Sequence, residues 1–143
     1  MKHTSIKFIK ILPNQSQVEL LYKLLEERKY NISHCLMPTY EEHKQFVKNH
    51  PYRAWYLLTK NDSVMGSFYL TNENSIGINI ESQFNSKDIK DLINFIKDTY
   101  SPLPIVKSVR RQEFFINVSP QNTKLLNCLK RLNKSELQTS FLI

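Results

Sequence analysis

At Arg53 the spacing of apolar residues switches from a helical period to a period of two, and after Glu81 it switches back. This switch constrains the fold more than any other feature, because a pattern of one period cannot be buried in an element of the other. Residues 54–59, 64–71 and 75–81 read as three strands, separated by Asn61-Asp62-Ser63 and Asn72-Glu73-Asn74. Short β-prone runs with polar turns this close together predict an antiparallel meander. On the N-terminal side, Ile6, Phe8, Ile9 and Ile11 predict a strand over 5–12, closed by Pro13. A helix follows over 15–29, with Asn14 as its N-cap and Val18, Leu21, Tyr22, Leu24 and Leu25 at helical spacing. Residues 31–38 read as irregular. Thr39 then caps a short helix over 40–49, where Glu42 completes a capping box and Pro51 sets the end.

Beyond the meander, Ile89, Leu92, Ile93 and Ile96 form the apolar stripe of a helix over 86–100, capped by Asn85 or Ser86. Ser101-Pro102-Leu103-Pro104 stops it. The nearly continuous apolar run over 113–118 predicts a central strand. A last helix is expected over 123–132, with Asn133 as a left-handed cap, and a closing strand over 137–143. The order β-α-α-β-β-β-α-β-α-β describes a mixed α/β (α+β) fold, one sheet combining a meander with βαβ crossovers.

A length of 143 residues fits a single domain over 1–143. With 41% hydrophobic and 11% aromatic residues the chain can bury a sizeable core, which excludes a disordered chain. Every apolar run falls short of the ~20 residues needed to cross a bilayer, so membrane insertion is not expected. The first residues carry no apolar stretch of a secretory signal, and the cytoplasm is the expected location. Cys35 and Cys128 lie far apart without metal-site or CxxC spacing, and are expected as reduced, buried thiols. No histidine pair has the spacing of a metal site.

The net charge is +7 and the isoelectric point about 9.4. Part of the charge gathers late: seven Lys or Arg follow Pro104, against Glu113 and Glu136. Either a solvated basic face or a site for a phosphate-bearing ligand accounts for this, with Arg110-Arg111 and Lys130-Arg131 as the candidate anion contacts. Tyr52, Trp55, Tyr56, Phe68 and Tyr69 read as packing of the meander rather than a base-stacking surface, so a nucleic-acid partner is not expected.

Two stretches resemble the GNAT N-acetyltransferase superfamily. The first is Trp55-Tyr56-Leu57-Leu58, Val64-Met65-Gly66-Ser67-Phe68-Tyr69-Leu70 and Ile76-Gly77-Ile78-Asn79-Ile80, similar to that family's strands two to four. The second is Ile116-Asn117-Val118-Ser119-Pro120-Gln121-Asn122-Thr123-Lys124-Leu125-Leu126, similar to its fifth strand and fourth helix, where an Asn opens the helix. The resemblance implies an acetyl-CoA site. Backbone amides around Ile78, Asn79 and Ile80 would hold the acyl carbonyl. Asn85, Ser86, Lys87, Asp88, Ile89 and Lys90 stand where the family binds the cofactor's pyrophosphate at a helix N-terminus. Asn117 and Asn122 would flank the cofactor from the other side.

The pyrophosphate loop departs from the pattern Arg/Gln-x-x-Gly-x-Gly/Ala. Asn85 replaces the Arg/Gln, Asp88 the first Gly and Lys90 the Gly/Ala. Asp88 adds both a side chain and a negative charge in the first helical turn, where a diphosphate would be repelled. Many family members also place a proton-donating Tyr seven residues after the helix-opening Asn; here that position is Leu129, with Cys128 beside it. Glu81, ending the fourth strand, is the candidate general base. His34, in the irregular segment beside the acceptor cleft, is the second candidate catalytic group, and His43 lies nearby. Both candidates also read as ordinary surface residues. The resemblance implies acetyl transfer from acetyl-CoA to a primary amine of a small molecule or protein. The departures imply an alternative, a catalytically impaired binding or regulatory module of the same fold; a homodimer is compatible with either.

Overall fold

The computed structural model describes residues 5–29, 36–80 and 83–143. The elements run β1 (Lys7–Lys10), α1 (Gln15–Glu26), α2 (Tyr40–Lys48), β2 (Ala54–Lys60), β3 (Ser63–Leu70), β4 (Ser75–Ile80), α3 (Ser86–Thr99), β5 (Phe115–Asn117) and α4 (Thr123–Arg131). Local sequence accounts for their ends. Asn14 caps α1 by accepting from the Gln17 amide at 2.9 Å. Thr39 and Glu42 form the expected reciprocal box at the start of α2.

The five strands form one sheet in the order β1-β2-β3-β4-β5, antiparallel except for β4 and β5, which are parallel. Lys60 pairs with Ser63, so β2 and β3 join through two residues. Both of these, Asn61 (φ 53°) and Asp62 (φ 62°), are left-handed, as a hairpin of this length requires. β2 is buried on both faces. Tyr56 and Leu58 join Phe68, Ile78, Ile89, Leu92, Ile96 and Leu125 in the larger core, which includes α3 and α4. Trp55 and Leu57 join Val18, Leu21, Leu24 and Val47 in a second core with α1 and α2. Helices thus cover the sheet on both faces, and the aromatic cluster is divided between the two cores.

Both glycines allow close approaches within this sheet. A Cβ on Gly66 would strike the backbone carbonyl of Asn79, and one on Gly77 would strike the Tyr69 ring. That ring stacks on Tyr52 with centroids 4.1 Å apart.

Two expectations fail at the C-terminal side of the sheet. The strand expected over 113–118 as a central one is only Phe115–Asn117, half-buried, at the sheet edge. The closing strand expected over 137–143 is not formed, and Leu137, Phe141, Leu142 and Ile143 are exposed. One failure explains the other: without a neighbour on its outer side, β5 cannot be central. The final β of the expected order is therefore missing, while the other nine elements follow it. α1 also ends at Glu26, three residues early.

Asn74 secures the other end of β4. It is left-handed (φ 68°) and completely buried. Its amide group donates to the carbonyls of Leu103 (2.9 Å) and Arg111 (2.8 Å), and its side-chain oxygen accepts from the Leu103 amide at 2.8 Å. Its own carbonyl accepts from the Phe115 amide at 3.1 Å. This single side chain binds the 103–111 loop to the β3–β4 turn.

Candidate functional site

β4 and β5 pair only through Ser75 with Phe115, Ile76 with Ile116 and Gly77 with Asn117. Beyond that point β4 continues through Ile78, Asn79 and Ile80, still paired to β3 but, among the described residues, without a partner on its β5 side. A parallel pair that parts midway leaves a wedge whose walls carry backbone donors and acceptors. Because β4 and β5 are parallel, both following helices open at this end of the sheet. Lys124, in the first turn of α4, lies with its ammonium 4.3 Å from the ring centroid of Phe84, just before α3. The wedge and the two helix mouths therefore share one end of the molecule.

The mouth of α3 is closed by its own residues. Asn85 Oδ1 accepts from the Asp88 amide at 2.9 Å, and Asp88 Oδ2 accepts from the Asn85 amide at 3.0 Å. This reciprocal cap satisfies two amide donors of the helix end. The Lys60 ammonium, at the tip of the β2–β3 hairpin, donates to both Asp88 oxygens at 3.1 Å. Asp88 is 2% exposed and the Lys60 side chain 27%. The carboxylate takes up the favourable field of the helix end, and Lys60 compensates its charge.

Most of the sequence-predicted set has a definite place. The side chains of Ile78, Ile80 and Ile89 are in the larger core. Asn79 faces the opposite side and donates to the Leu24 carbonyl at 3.5 Å. Lys87 pairs with Asp91 at 2.8 Å; Lys90 is exposed and Ser86 half-buried. Asn117 ends the β4–β5 pairing, and Asn122 caps α4 by accepting from the Leu125 amide at 3.3 Å. Glu81 and His34, the expected catalytic pair, lie outside the described residues, as does Cys35. Leu129 packs against the larger core, and Cys128 is a free, buried thiol. Neither provides an exposed proton donor.

Sequence reasoning missed Lys60, which reads as an ordinary strand end 28 residues from its partner. The signal lies in the topology: the β2–β3 hairpin and the β4–α3 junction must share one end of a meander. Arg110 and Arg111, expected as anion contacts, belong to the opposite end. Arg110 donates to the carbonyls of Pro104 (2.6 Å) and Asn72 (3.2 Å), and Arg111 lies over the Phe115 ring. They brace a loop.

The perturbed titrating groups lie away from the wedge. His43 is buried and donates from Nε2 to the Val18 carbonyl at 3.1 Å. Burial lowers its pKa, partly offset by that bond, and burial lowers the pKa of His50. Tyr56 is pushed up to about 12, first by burial and then by its hydrogen bond to Tyr100. Tyr100 caps the far end of α3, roughly 20 Å from the mouth for a helix of 14 residues. Among the described residues, no group of three or more His, Cys, Asp or Glu side chains is placed to hold a metal ion.

The fold as a whole is similar to those of solved acetyltransferases. The aminoglycoside N-acetyltransferase AAC(6')-Iy in complex with CoA is similar over 99% of this chain and 95% of its own, with a TM-score of 0.60 at 11% identity. A possible acetyltransferase from Clostridium difficile 630 matches over 97% and 96% of the two chains (TM-score 0.56, 16% identity). The N-acetyltransferase PseH from Campylobacter jejuni matches over 94% and 91% (TM-score 0.56, 15% identity). The fold is that of the GNAT acetyltransferases. At these identities the likeness concerns the GNAT fold alone; no family model and no curated protein matches the sequence. Among the described residues, no helix is long and apolar enough to cross a membrane.

The wedge and the helix mouth differ in how they suit the acetyl-CoA that a GNAT fold implies. An extended amide chain fits beside Ile78–Ile80, where β4 is paired to β3 but, among the described residues, to nothing on its β5 side. A diphosphate does not fit at the mouth of α3, where the Asp88 carboxylate already sits among the donors.

Proposed function

We propose that this chain is an N-acyltransferase that moves an acetyl group from acetyl-CoA to a primary amine. The observation that carries the reading is the parting of β4 from β5 after Gly77 and Asn117. Acetyl-CoA, when bound, supplies the activated acetyl group. The chain supplies position: backbone donors along Ile78–Ile80 orient and polarise a carbonyl laid beside the strand. Asn117, at the apex of the wedge, adds a neutral hydrogen-bonding side chain. Leu129, at the position of the expected Tyr, has no proton to give, so α4 would supply no acid to a departing thiolate. Similarity to aminoglycoside N-acetyltransferases favours a small-molecule amine as acceptor over a protein amine. Glu81 and His34 remain our candidates for removing the proton of that amine.

One observation favours a second reading, a binding or regulatory module of the same fold. Asp88 and Lys60 close the site at which a GNAT fold would grip a diphosphate. Thermal shift with acetyl-CoA, CoA and desulfo-CoA separates the two, since a ligand that binds only the folded state raises its melting temperature. A rise with acetyl-CoA, together with acetylation of a polyamine or aminoglycoside panel, supports the enzyme. No rise at millimolar ligand supports the module. Asp88→Gly combined with Lys90→Gly should strengthen CoA binding; unchanged or weaker binding would show that the α3 mouth is not where the cofactor docks.

A further inference from the structure

We infer that the hairpin over 104–111 is a contact for the surface of an anionic bilayer. Ile105, Val106 and Val109 enter the boundary between headgroups and acyl chains, while Lys107 and Arg111 stay level with the lipid phosphates. The inference is independent of whether the protein binds CoA, and it needs no membrane-spanning helix.

Three observations converge on it. First, the loop between α3 and β5 turns its apolar side chains to water. Ile105 is 64% exposed, Val109 69% and Val106 42%. They lie within five residues around one tight turn, so they form a single apolar tip. Apolar residues grouped in this way mark an interaction site, whereas scattered ones do not.

Second, the tip is held outward. Val106 and Arg110 pair as an antiparallel bridge. The Val106 amide donates to the Arg110 carbonyl and the Arg110 amide to the Val106 carbonyl, both at 2.8 Å. Ser108, in the turn, is left-handed (φ 66°). Asn74 bonds Leu103 on one leg of the hairpin and Arg111 on the other. The Arg110 side chain donates to Pro104 and Asn72. A loop pinned on both legs cannot fold its apolar residues down onto the protein. Its freedom is already lost before any partner arrives, which favours binding.

Third, charge and size select the partner. Lys107, Arg110 and Arg111 are joined by Arg53, which donates to the Ser101 carbonyl at 2.8 Å. Against these four cations stand Glu113 and, in the β3–β4 turn, Glu73. Lys107 and Arg111 are exposed, and the chain as a whole carries +7. Cations beside an apolar tip suit an anionic leaflet. A protein partner fits less well, because a specific interface takes about 800 Å² from each side and is anchored by aromatic or Arg side chains. The tip offers three aliphatic side chains and no aromatic, and Arg110 is committed to its own loop. A bilayer requires neither area nor shape, and takes apolar side chains about 5–10 Å deep.

Vesicle flotation at low and high salt tests this. One set of vesicles is phosphatidylcholine alone, and in the other about a third of it is replaced by phosphatidylglycerol. The chain is expected to float with the anionic vesicles at low salt and to be released in part by high salt. Ile105→Asp with Val109→Asp should lower the bound fraction at least about tenfold. Lys107→Gln should weaken binding and flatten its salt dependence. These side chains are exposed, so the melting temperature should stay at the wild-type value. Ile105→Trp supplies a second readout: brominated lipid should quench its emission, while Trp55, in the second core, gives a constant background. A wild type that stays in the soluble fraction overturns the proposal. So does flotation that the two Asp substitutions leave intact, or flotation without quenching, which is attraction of charge alone. Hydrogen-exchange protection of 105–109 that deepens with protein concentration in the absence of lipid would assign the tip to a second copy, and overturns it too.

Discussion

Replacing Lys60 by Met keeps the length of the side chain and removes its charge. Asp88 then retains the Asn85 amide as a donor, at a site where the carboxylate is 2% exposed. Breaking a fully buried ion pair from one side costs about 3–5 kcal/mol, because the remaining charge has neither partner nor water. Here Lys60 is 27% exposed, so water replaces part of what is lost. The expected destabilisation is therefore about 2–3 kcal/mol. For a chain of this size that is a fall in melting temperature of roughly 6–9 °C. Asp88→Asn removes the carboxylate charge yet keeps a side-chain oxygen for the Asn85 amide. Added to Lys60→Met, it should restore most of the loss. Urea denaturation of the wild type, both single variants and the double variant gives the coupling directly, expected to exceed about 1 kcal/mol. A loss below about 0.5 kcal/mol for Lys60→Met, or two losses that simply add, refutes the reasoning. The helix mouth would then be held by its cap alone.

Other perturbations have equally definite outcomes. Gly66→Ala should cost more than Gly77→Ala in urea melts, about 2–3 kcal/mol against about 1, because the first drives a Cβ into backbone and the second into the movable end of the Tyr69 ring. His43 has a folded pKa below its unfolded value near 6.5, so its contribution is complete above pH 6.5 and is lost as pH falls below it, when the unfolded chain binds the proton that the folded chain refuses. His50 shifts the same way. The urea midpoint should drop between pH 6.5 and 5.5, and drop less in a His43→Leu variant; an identical drop would assign the effect to other groups.

Most of the architecture is legible from periodicity and caps, for a local reason. Asn14 and Thr39 bond to amides three residues on, and Asn61-Asp62 accept left-handed geometry by themselves, so these choices need no tertiary information. The misreadings concern long-range partners. Residues 113–118 have the composition of a strand buried on both faces, yet whether a strand is central depends on what lies beside it. The 137–143 segment alternates as an edge strand should, but alternation does not specify a partner. The candidate site divides in the same way. The crowding of the α3 mouth by Asn85 and Asp88 follows from six adjacent residues. The pairing of Lys60 with Asp88 depends on a hairpin folding to the same end of the sheet, and the bracing by Arg110 depends on a loop turning back on itself.

Asn74 fastens one end of the β4–β5 pair to the carbonyls of Leu103 and Arg111 and to the Phe115 amide, whereas past Gly77 and Asn117 the two strands share no ladder among the described residues. β4 stays laced to β3 as far as Ile80, so the pair behaves like a peg with one fixed jaw. Whatever enters between them can move only the β5 side, turning it about the clamp, so a molecule there is gripped by the stiffness of an amide group some ten ångströms away, about three residues along the strand.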